Sequence, residues 1–594
     1  MFPTDTKNPD HYHKVVDCQW ACPAHTPVPE YIRLISRGRY DDAYMVNWES
    51  NVFPGVLGRV CDRPCETACR RGRVEEQPVA ICRLKRVAAD NKGTLDERFP
   101  KPPEEKNGKH VALIGGGPAS LTVARDLLLE GYDVSLFERG QQLGGMMRSD
   151  IPSFRLPQNV LDEEIDVILK LGVDLHSGVN ITSLKDFLER DFDAVFVGTG
   201  APRGRNLTVP GREEAAANIH MGIDWLSQVA FEHVENIGKR VVVLGGGNTA
   251  MDCCRTARRL GGENVTVVVR SGYDEMKASD WEKEEAEAEG IPMLDYRVPK
   301  EFLHENGKLT GVRFEIVRKE LDKKGRRKLV PTGEPDEIIE CDDVLLAVGQ
   351  ENSFPWIERD IGLEFNEWDM PVVDEVTFAS SKAGLFFGGD AAFGPKNIIT
   401  AVAHGHQAAI SIDLFCQGEA IEKRPERGVT LASQRMGMHD WSYNSEIHHD
   451  HRFKVPMVEQ SKALSSIKIE VELGFDPLLG HEEAMRCLNC DVQTVFEENL
   501  CIECDSCVDV CPMDCISFVQ NGEEDELRTR LRAPAENKTQ SLLISEDLKT
   551  GRVMVKDENV CLHCGFCAER CPTSAWDMQQ SIISIPQASC RSRS

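Results

Sequence analysis

The sequence predicts an α/β protein of several domains, and three observations lead to this prediction. The chain has 594 residues, too long for one hydrophobic core when a domain usually takes roughly 100 to 200 residues. Two segments in its middle repeat an apolar strand, a glycine-rich turn, a helix and a second apolar strand. Most of the 22 cysteines lie towards the two ends. We therefore expect two α/β domains in the middle, an α-helical domain before them and a small α+β domain after them.

Composition and charge exclude several classes of protein. The net charge of −28 argues against nucleic-acid binding, because clustered lysine and arginine are needed to hold a phosphate backbone. We find no run of about 18 apolar residues that could span a membrane, and no secretory signal in the N-terminal MFPTDTKNPDHYHK. A cytoplasmic location is therefore expected, where cysteines stay reduced. The cysteines then become candidates for metal ligation or redox chemistry rather than for disulfides.

Two segments near the C-terminus, CIECDSCVDVCP and CLHCGFCAERCP, share the spacing C-x2-C-x2-C-x3-C-P. In bacterial ferredoxins with two 4Fe-4S clusters, the fourth cysteine of each run ligates the other cluster. The predicted ligands are Cys501, Cys504, Cys507 and Cys571 for one cluster, and Cys561, Cys564, Cys567 and Cys511 for the other. Paired C-x2-C motifs also bind zinc, but three closely spaced cysteines followed by C-P, found twice, favour clusters. A bacterial-ferredoxin-like α+β domain is expected here, with a polar surface insertion between its two motifs.

A second group of cysteines opens the chain. It comprises Cys18, Cys22, Cys61, Cys65, Cys69 and Cys82. Six cysteines are too few for two clusters, and the unpartnered C-x2-C of Cys487 and Cys490 brings the number to eight. Two further 4Fe-4S clusters are therefore predicted, which makes four in the chain. The alternative is that some of these cysteines, above all Cys82, are buried and inert.

The segment KHVALIGGGPASLTVARDLLLEGYDVSLFERG has the strand, turn, helix and second strand of a Rossmann unit. Gly115 permits the tight turn, and Gly117 lets the backbone approach a pyrophosphate at the helix N-terminus. Glu138 ends the second strand, where a carboxylate bonds a ribose hydroxyl. The candidate cofactor-binding residues are Gly115, Gly117, Pro118, Ala119 and Glu138, with Gly145 and Arg148 from the following LGGMMRSD.

The same pattern returns in GKRVVVLGGGNTAMDCCRTARRLGGENVTVVVRSG. Its candidate nucleotide-binding residues are Gly245, Gly247, Asn248 and Thr249 in the turn and Arg270 at the end of the second strand. A cation in the position of the first unit's glutamate favours the 2′-phosphate of NADP over the free hydroxyl of NAD. The alternative is that Arg270 is a solvated strand end, so the choice between NADP and NAD stays open.

A third segment, GLFFGGDAAFGPKNIITAVAHGHQAAISI, has a strand that runs into Gly389 and Asp390, followed by a helix rich in small residues. An acid at such a turn can bond a ribityl hydroxyl while the helix N-terminus faces a flavin. We therefore expect an FAD domain that is interrupted by an NAD(P) domain. The predicted segments are 1–105 for the helical 4Fe-4S domain, 106–215 and 346–430 for the FAD domain, 216–345 for the NAD(P) domain, 431–495 for a connector and 496–594 for the ferredoxin domain.

Over about residues 15–490 the chain resembles the small subunit of bacterial glutamate synthase and its relatives, including the N-terminal part of dihydropyrimidine dehydrogenase. The resemblance rests on CPAHTPVPEYI, GRVCDRPCETAC, GGGPAS, LGGMMRSDIPSFRLP, VGTGA, LGGGNTAMDC, AVGQ and GGDAA. It implies one cluster on Cys22, Cys61, Cys65 and Cys69, and another on Cys18, Cys487 and Cys490, with Cys82 a candidate for the last ligand. The family often has a second arginine where this chain has Ser271. The appended ferredoxin segment is similar to that of family members that serve dissimilatory sulfite reductase or 2-oxoacid:ferredoxin oxidoreductases, which implies a different electron partner.

The predicted function is that of an NAD(P)H:acceptor oxidoreductase subunit. Hydride passes from NAD(P)H to FAD, and single electrons pass through 4Fe-4S clusters to a partner catalytic subunit or a ferredoxin, or in reverse. Such chemistry needs no nucleophile or acid–base pair, so no catalytic residue is predicted, and an electron conduit without a terminal active site predicts a hetero-oligomer. The alternative is an electron-relay module with a non-catalytic nucleotide site, which the intact glycine turns disfavour. The run IHHDH, with His448, His449 and His451, is interpreted as a solvated loop.

Overall fold

The architecture comes from a computed structural model in which residues 16–72, 77–321, 325–426, 428–433, 451–520, 527–529, 531, 542–586 and 588 are described. Of the IHHDH run, His448 and His449 lie outside these residues and His451 is exposed. The chain divides into two compact units. Unit 1 contains Met1–Phe99, Arg424–Val455 and Gly474–Ser594, and unit 2 contains Pro100–Lys423 and Pro456–Leu473. No helix within the described ranges combines the length and apolar character needed to cross a bilayer.

The secondary structure alternates between helices and strands through the middle of the chain. The helices are α1 Asp17–Ala21, α2 Val28–Ser36, α3 Tyr40–Asn51, α4 Pro54–Val60, α5 Pro64–Thr67, α6 Ile81–Asn91, α7 Pro118–Leu129, α8 Met146–Ser149, α9 Gln158–Leu169, α10 Leu184–Leu188, α11 Gly222–Ala230, α12 Asn248–Arg259, α13 Asp280–Ala288, α14 Asp390–Phe393, α15 Ile398–Cys416, α16 Gln460–Ala463, α17 Pro477–Met485, α18 Ser506–Asp509 and α19 Phe566–Arg570. The strands up to the end of the second dinucleotide-binding region are β1 His110–Ile114, β2 Asp133–Glu138, β3 Asp174–Ser177, β4 Ala194–Val197, β5 Arg203–Gly204, β6 Ile219–Met221, β7 Arg240–Leu244, β8 Asn264–Val268, β9 Met293–Leu294, β10 Arg297–Glu305, β11 Lys308–Leu321, β12 Arg327–Pro331, β13 Glu337–Glu340 and β14 Asp343–Leu346. The later strands are β15 Gln350–Glu351, β16 Leu385–Phe387, β17 Gly428–Ser433, β18 Val492–Phe496, β19 Ile516–Val519, β20 Leu543–Ile544, β21 Val553–Lys556 and β22 Trp576–Ser584.

Unit 2 contains two parallel five-stranded sheets, as the α/β prediction requires. The first has the order β16-β4-β1-β2-β3, and the second has the order β6-β14-β7-β8-β9. Their central strands, HVALI in β1 and RVVVL in β7, are buried beyond the first residue, as expected for strands covered on both faces. Strand β16 joins the first sheet although it follows the whole second sheet in the chain. The predicted interruption of one dinucleotide-binding domain by another is therefore confirmed.

A four-stranded antiparallel sheet, formed by β10, β11, β12 and β13, was not predicted from the sequence. Strands β10 and β11 form a hairpin, and the two residues between them, Asn306 and Gly307, have φ values of +53° and +81°. These left-handed conformations are typical of the Asn-Gly turns that join antiparallel strands. This dipeptide was the available sequence signal for the hairpin.

Helix α15 packs closely against α7 in unit 2. A Cβ at Gly405 would lie 2.6 Å from both the Ala119 carbonyl oxygen and Thr122 Cβ, so the approach of the two helices requires glycine. Buried polar pairs fix the register, with His406 Nδ1 2.6 Å from an Asp126 carboxylate oxygen. The small residues of α15 thus bring the turn before α14 close to the N-terminus of α7.

Unit 1 combines helices from the start of the chain with strands from its end. Helix α17 packs against α2 and α6, and its Glu483 accepts a hydrogen bond from the Ala80 N–H at 2.7 Å. This packing carries Cys487 and Cys490 to the N-terminal helices. The later residues form two three-stranded sheets, β17-β22-β18 and β19-β21-β20, and α18 and α19 lie inside the two cysteine runs.

Candidate functional site

The first glycine-rich turn of unit 2 lies between β1 and α7. Gly115 has a φ of +97°, and a Cβ there would lie 2.7 Å from the Gly198 carbonyl oxygen, so the turn requires glycine. Gly117 has a φ of −83°, and the nearest atom to a Cβ there would be Gly198 O at 3.9 Å. Pro118 and Ala119 begin α7 directly after it. The space above the helix N-terminus is thus open, and its backbone N–H groups favour an anion there.

The loop after β2 closes over this turn. The Glu138 carboxylate accepts a hydrogen bond from the Gly116 N–H at 2.7 Å, and its other oxygen accepts a second backbone N–H at the same distance. Gly144 N donates to Gly116 O at 2.9 Å. Gly145 has a φ of +52°, and a Cβ there would lie 3.0 Å from Gly117 Cα. The glycines therefore bring the backbones of the turn and the loop close together.

Arg148 supports this loop from inside the protein. Its side chain is buried, and its guanidinium donates to Leu143 O at 2.6 Å, to Gln158 Oε1 at 2.7 Å and to Asp162 Oδ1 at 2.5 Å. Each guanidinium nitrogen therefore already has a protein acceptor. The predicted cofactor contact of Arg148 would have to use the N–H groups that remain, and its main role in this structure is to fix the loop.

The third glycine segment meets the first at the same place. Gly389 has a φ of +59°, and a Cβ there would lie 3.2 Å from Ala119 Cβ at the start of α7. Asp390 Oδ1 accepts the Lys396 N–H at 2.9 Å, and burial raises the pKa of Asp390 to about 6. Asn352 donates to the Asp390 carbonyl oxygen at 2.7 Å and was not predicted. Its position just after the AVGQ motif was the only signal that could have pointed to it.

Two buried polar atoms beside these loops have no partner among the described residues. They are Thr199 Oγ1, next to the Gly198 that faces the first turn, and His404 Nδ1, whose Cβ packs beside Gly388. Burial lowers the pKa of His404 to about 4, so its imidazole is neutral near pH 7. Buried polar atoms normally have hydrogen-bond partners. Open space above Gly117 and unpaired polar atoms around it therefore fit a bound FAD.

The second glycine-rich turn has the same construction. A Cβ at Gly245 would lie 2.1 Å from the Ala347 carbonyl oxygen, whereas a Cβ at Gly247 would meet no described atom within 4 Å. Asn248 Oδ1 accepts the Ser279 N–H at 3.1 Å, and Thr249 is half-buried in the first turn of α12. The open position again lies at a helix N-terminus, which fits the pyrophosphate of a nicotinamide dinucleotide.

Two exposed cations flank this second turn. Arg270 lies two residues beyond the end of β8 and makes no hydrogen bond or ion pair with the part of the chain that is described. Lys277 is exposed too, and it is held beside the turn because the next residue, Ala278, donates its N–H to Gly246 O at 2.9 Å. Both cations suit a phosphate group. Lys277 was not predicted as a site residue.

A buried ion-pair network joins the two α/β halves of unit 2. Arg155 from the first half donates to Asp252 Oδ1 on α12 at 2.6 Å and also to Glu282 on α13. Asp150 lies nearby with one carboxylate oxygen that has no hydrogen-bond partner within the described residues. Burial, followed by the charges of Asp252 and Asp224, raises the pKa of Asp150 to about 7.

The C-terminal cysteines of unit 1 form two groups. One small cavity is lined by Cys511, Cys561, Cys564 and Cys567, the set that the crossed ferredoxin pattern predicts, and also by Cys515. In the other group, burial raises the pKa of Cys507 to about 11, with contributions from Cys501 and Cys571, and Cys501 interacts in turn with Cys504. Of these eight, Cys504 is the exposed one. Cys515, which was not predicted, places its sulfur 3.5 Å from that of Cys511.

The eight other predicted ligands also form two groups. Relative to the sets that the resemblance implied, Cys69 and Cys82 have exchanged places. One cavity is lined by Cys18, Cys69, Cys487 and Cys490. The other group contains Cys82, whose sulfur hydrogen-bonds with Cys61 and Cys65, and Cys22, which shares the neighbourhood of Lys85 with these three. Helix α5 ends at Thr67, and Cys69, two residues beyond it, lines the same cavity as Cys18. Cys82, in contrast, lies beside α5, because its N–H donates a hydrogen bond to Glu66 Oε1 on that helix at 3.0 Å.

Two buried side chains connect the neighbouring cysteine cavities of unit 1. Arg70, next to Cys69, donates to the Cys561 carbonyl oxygen at 2.5 Å. His563, between two cysteines of the other cavity, places Nδ1 2.7 Å from the Cys490 carbonyl oxygen. A carbonyl oxygen only accepts, so this nitrogen carries the proton. The ligand loops of the two cavities are therefore hydrogen-bonded to each other in both directions.

Three segments of the chain match known protein families. Residues 109–405 match the family described as pyridine nucleotide-disulphide oxidoreductase. Residues 12–96 match dihydropyrimidine dehydrogenase domain II with its 4Fe-4S cluster, and residues 500–575 match the 4Fe-4S dicluster domain. The first match covers both glycine turns, and the other two cover both cysteine regions apart from Cys487 and Cys490.

Three curated relatives extend these matches. The NADP(+)-dependent formate dehydrogenase subunit beta of Moorella thermoacetica is 36% identical over 504 residues, covering 80% of this chain and 70% of its own. The NADPH-Fe(3+) oxidoreductase subunit beta of Geobacter sulfurreducens is 33% identical over 534 residues, covering 82% and 77%. The glutamate synthase [NADPH] small chain of Azospirillum brasilense is 31% identical over 422 residues, covering 68% and 87%. The resemblance predicted from the sequence is therefore confirmed.

Proposed function

Because the chain belongs to the pyridine nucleotide-disulphide oxidoreductase family, we propose that it oxidises NADPH and delivers single electrons to a separate redox partner. Bound FAD takes two electrons as hydride, whereas bound 4Fe-4S clusters carry one electron each. The observation that carries the proposal is that one chain contains both nucleotide-binding turns and groups of cysteines suited to clusters. Unit 2 presents two open glycine turns, and unit 1 gathers sixteen cysteines into four groups.

The choice of NADPH over NADH is supported by the two cations beside the second turn. Arg270 is exposed with no partner in the described ranges, and Lys277 is exposed next to the same turn. Both can meet a 2′-phosphate, which NADH lacks. The three relatives described above carry NADP or NADPH in their names. We therefore expect reduction by NADPH at lower concentrations than by NADH.

The residues of unit 2 are proposed to bind and orient the two nucleotides and not to react with them. The backbone of the first turn and the neighbouring loop would hold FAD, with Thr199 Oγ1 and neutral His404 offering polar contacts inside the protein. Arg155 ties α12 and α13 to the first half through Asp252 and Glu282, and so fixes the angle between the two nucleotide sites. Hydride transfer depends steeply on such alignment.

The partner is proposed to dock where Cys504 reaches the surface. Cys504 is exposed, and the neighbouring Leu500 and Ile502 are 40% and 54% exposed, which leaves apolar surface beside this cysteine group. An apolar patch beside an exposed redox site suits a transient protein contact. The partner is thus a second redox subunit or protein in a hetero-oligomer, and the location we propose is the cytoplasm.

The test is an anaerobic titration of the purified chain. Iron, sulfide and flavin are quantified first. The visible spectrum is then followed while one sample is titrated with NADPH and a second sample with NADH. The proposal expects one FAD and about sixteen irons per chain, since each cluster holds four. It also expects the flavin to be bleached at a lower concentration of NADPH than of NADH. Absence of bleaching by either nucleotide would overturn the proposal in favour of an electron relay with a non-catalytic nucleotide site.

Two matched variants locate the clusters. Cys504→Ala is expected to lower the iron content by about four per chain, since one cluster loses a ligand. Cys416→Ala, which changes a half-buried cysteine outside all four groups, is expected to retain it. Equal iron in both variants would contradict the ligand assignment at Cys504.

A further inference from the structure

Lys85 is a buried ammonium group inside the N-terminal helices of unit 1. It lies on α6, one turn after Cys82, and is 3% exposed. Its Nζ donates to Asn51 Oδ1 at 3.0 Å, and no carboxylate among the described residues forms an ion pair with it. Glu66, which accepts the Cys82 N–H, is already paired with Arg452 at 2.7 Å. A buried cation without an anionic partner costs several kcal/mol, so its environment must supply compensating charge.

Among the described residues, the cysteines around Lys85 are the groups placed to supply this charge. Cys82 lies one helical turn before Lys85, and the sulfurs of Cys61, Cys65 and Cys22 lie in the same neighbourhood. These four sulfurs form one of the four cysteine groups proposed above to hold clusters, and four thiolates around one 4Fe-4S unit carry net negative charge.

We infer that Lys85 is the fixed counter-charge of the cluster held by Cys22, Cys61, Cys65 and Cys82, and that it raises the reduction potential of that cluster. This inference rests on the proposed function, which assigns those ligands. Reduction adds one electron, taken from the reduced flavin, with no bond made or broken. A cation fixed in a low-dielectric interior stabilises the more negative, reduced form.

A second buried lysine in unit 1 shows what distinguishes Lys85. Lys556 is also buried beside a cluster cysteine, Cys561, but it forms an ion pair with Glu558. The carboxylate offsets its charge, so its effect on the neighbouring cluster is smaller. Lys85 has only the neutral amide of Asn51 as its hydrogen-bond partner within the described chain. Its whole positive charge therefore acts on one cysteine group.

Two substitutions remove this charge by different routes. Lys85→Met deletes the ammonium and keeps the length of the side chain. Asn51→Asp keeps the lysine and places a carboxylate at the acceptor 3.0 Å from Nζ, which neutralises the charge in place. Lys85→Arg preserves the charge. Lys92→Met, which removes the half-buried lysine that follows α6, is the matched control for lost charge outside the cysteine group.

The measurement is an anaerobic potentiometric titration of the full, cluster-loaded chain, followed by electron paramagnetic resonance. The one-electron wave that disappears in Cys82→Ala is assigned to this cluster. In Lys85→Met and Asn51→Asp, the reduced-to-oxidised ratio of that wave at a fixed potential is expected to fall at least tenfold, a shift of about 59 mV for one electron. Lys85→Arg and Lys92→Met are expected to titrate like the wild type.

An unchanged wave in Asn51→Asp with full iron content would overturn the inference. Should Lys85→Met lose iron, Asn51→Asp alone decides, because it retains the lysine. Failure of the proposed function would look different. In that case Cys82→Ala would remove no wave and no iron, and the ligand assignment rather than the role of Lys85 would be wrong.

Discussion

Replacing Gly247 with alanine separates nucleotide binding from folding. A Cβ at this position meets no described atom within 4 Å, and the φ of −104° suits any residue. Restricting the unfolded chain stabilises by about 0.4–1 kcal/mol, while alanine is a poorer residue than glycine before a helix by a similar amount. The two effects nearly cancel. The free energy of unfolding is therefore expected to stay within about 1 kcal/mol of the wild-type value.

The substitution is expected to weaken the binding of NADPH more than it changes the stability of the fold. Gly247 is the second glycine of the G-x-G pattern, the position that lets the pyrophosphate lie directly against the backbone. The methyl group of alanine occupies that space. We expect the NADPH concentration for half-maximal flavin reduction to rise at least tenfold, which corresponds to about 1.4 kcal/mol of binding free energy. Anaerobic stopped-flow measurement of flavin bleaching over a series of NADPH concentrations gives this value.

Two controls make the result decisive. Reduction of the flavin by dithionite is expected to be unaffected in Gly247→Ala, because it bypasses the nucleotide site. Gly93→Ala, at an exposed position in unit 1 where a Cβ has only ordinary contacts with Asp41, is expected to behave as the wild type in both assays. A wild-type dependence on NADPH in Gly247→Ala would refute the placement of the nucleotide on this turn.

Gly117→Ala is expected to fold and to lose at least nine-tenths of its bound FAD, because its Cβ fills the space above α7; normal flavin content after gel filtration would contradict the FAD assignment. Arg155→Met leaves Asp252 and Glu282 buried without their cation, an expected loss of about 3–5 kcal/mol in stability, and an unchanged melting temperature would argue against the network. Burial raises the pKa of Asp150 to about 7 from about 3.9 in the unfolded chain, so the folded state loses stability as pH rises through this window, by up to about 4 kcal/mol. Asp150→Asn should therefore raise the melting temperature more at about pH 8 than at about pH 5, and equal gains at both would contradict the buried acid.

Local patterns predicted the parts of the site that local geometry determines. The tight turn at Gly115 and the open positions at Gly117 and Gly247 follow from glycine spacing within a few residues of a strand and a helix. The C-terminal cysteine groups follow from a spacing that forces the crossed arrangement. Each of these features is complete within one short segment or one repeated motif, so the sequence contained all the information needed.

Features that depend on distant packing were not predicted correctly or were missed. Cys69 joins Cys18 rather than Cys65 because α5 ends before it and because α17 delivers Cys487 to the same place. The Arg155 network joins the turn before α9 to Asp252 on α12, 97 residues later in the chain, and no periodicity signals such a pair. The spacing of single residues gives the number of ligands, whereas their partition into sets is decided by how helices pack.

The proposed split ligand set of Cys18, Cys69, Cys487 and Cys490 has a consequence for biosynthesis. A ribosome adding roughly 5–20 residues per second needs roughly 20–80 s to travel from the second of these cysteines to the third. During that time the two early thiols wait without partners while both nucleotide-binding sheets are made. The neighbouring set closes within the first 82 residues and can receive its iron on a short nascent chain. The proposed ligand sets therefore predict that the two N-terminal centres mature at opposite ends of translation, and that a shortage of iron or an oxidising pulse during synthesis threatens the split one first.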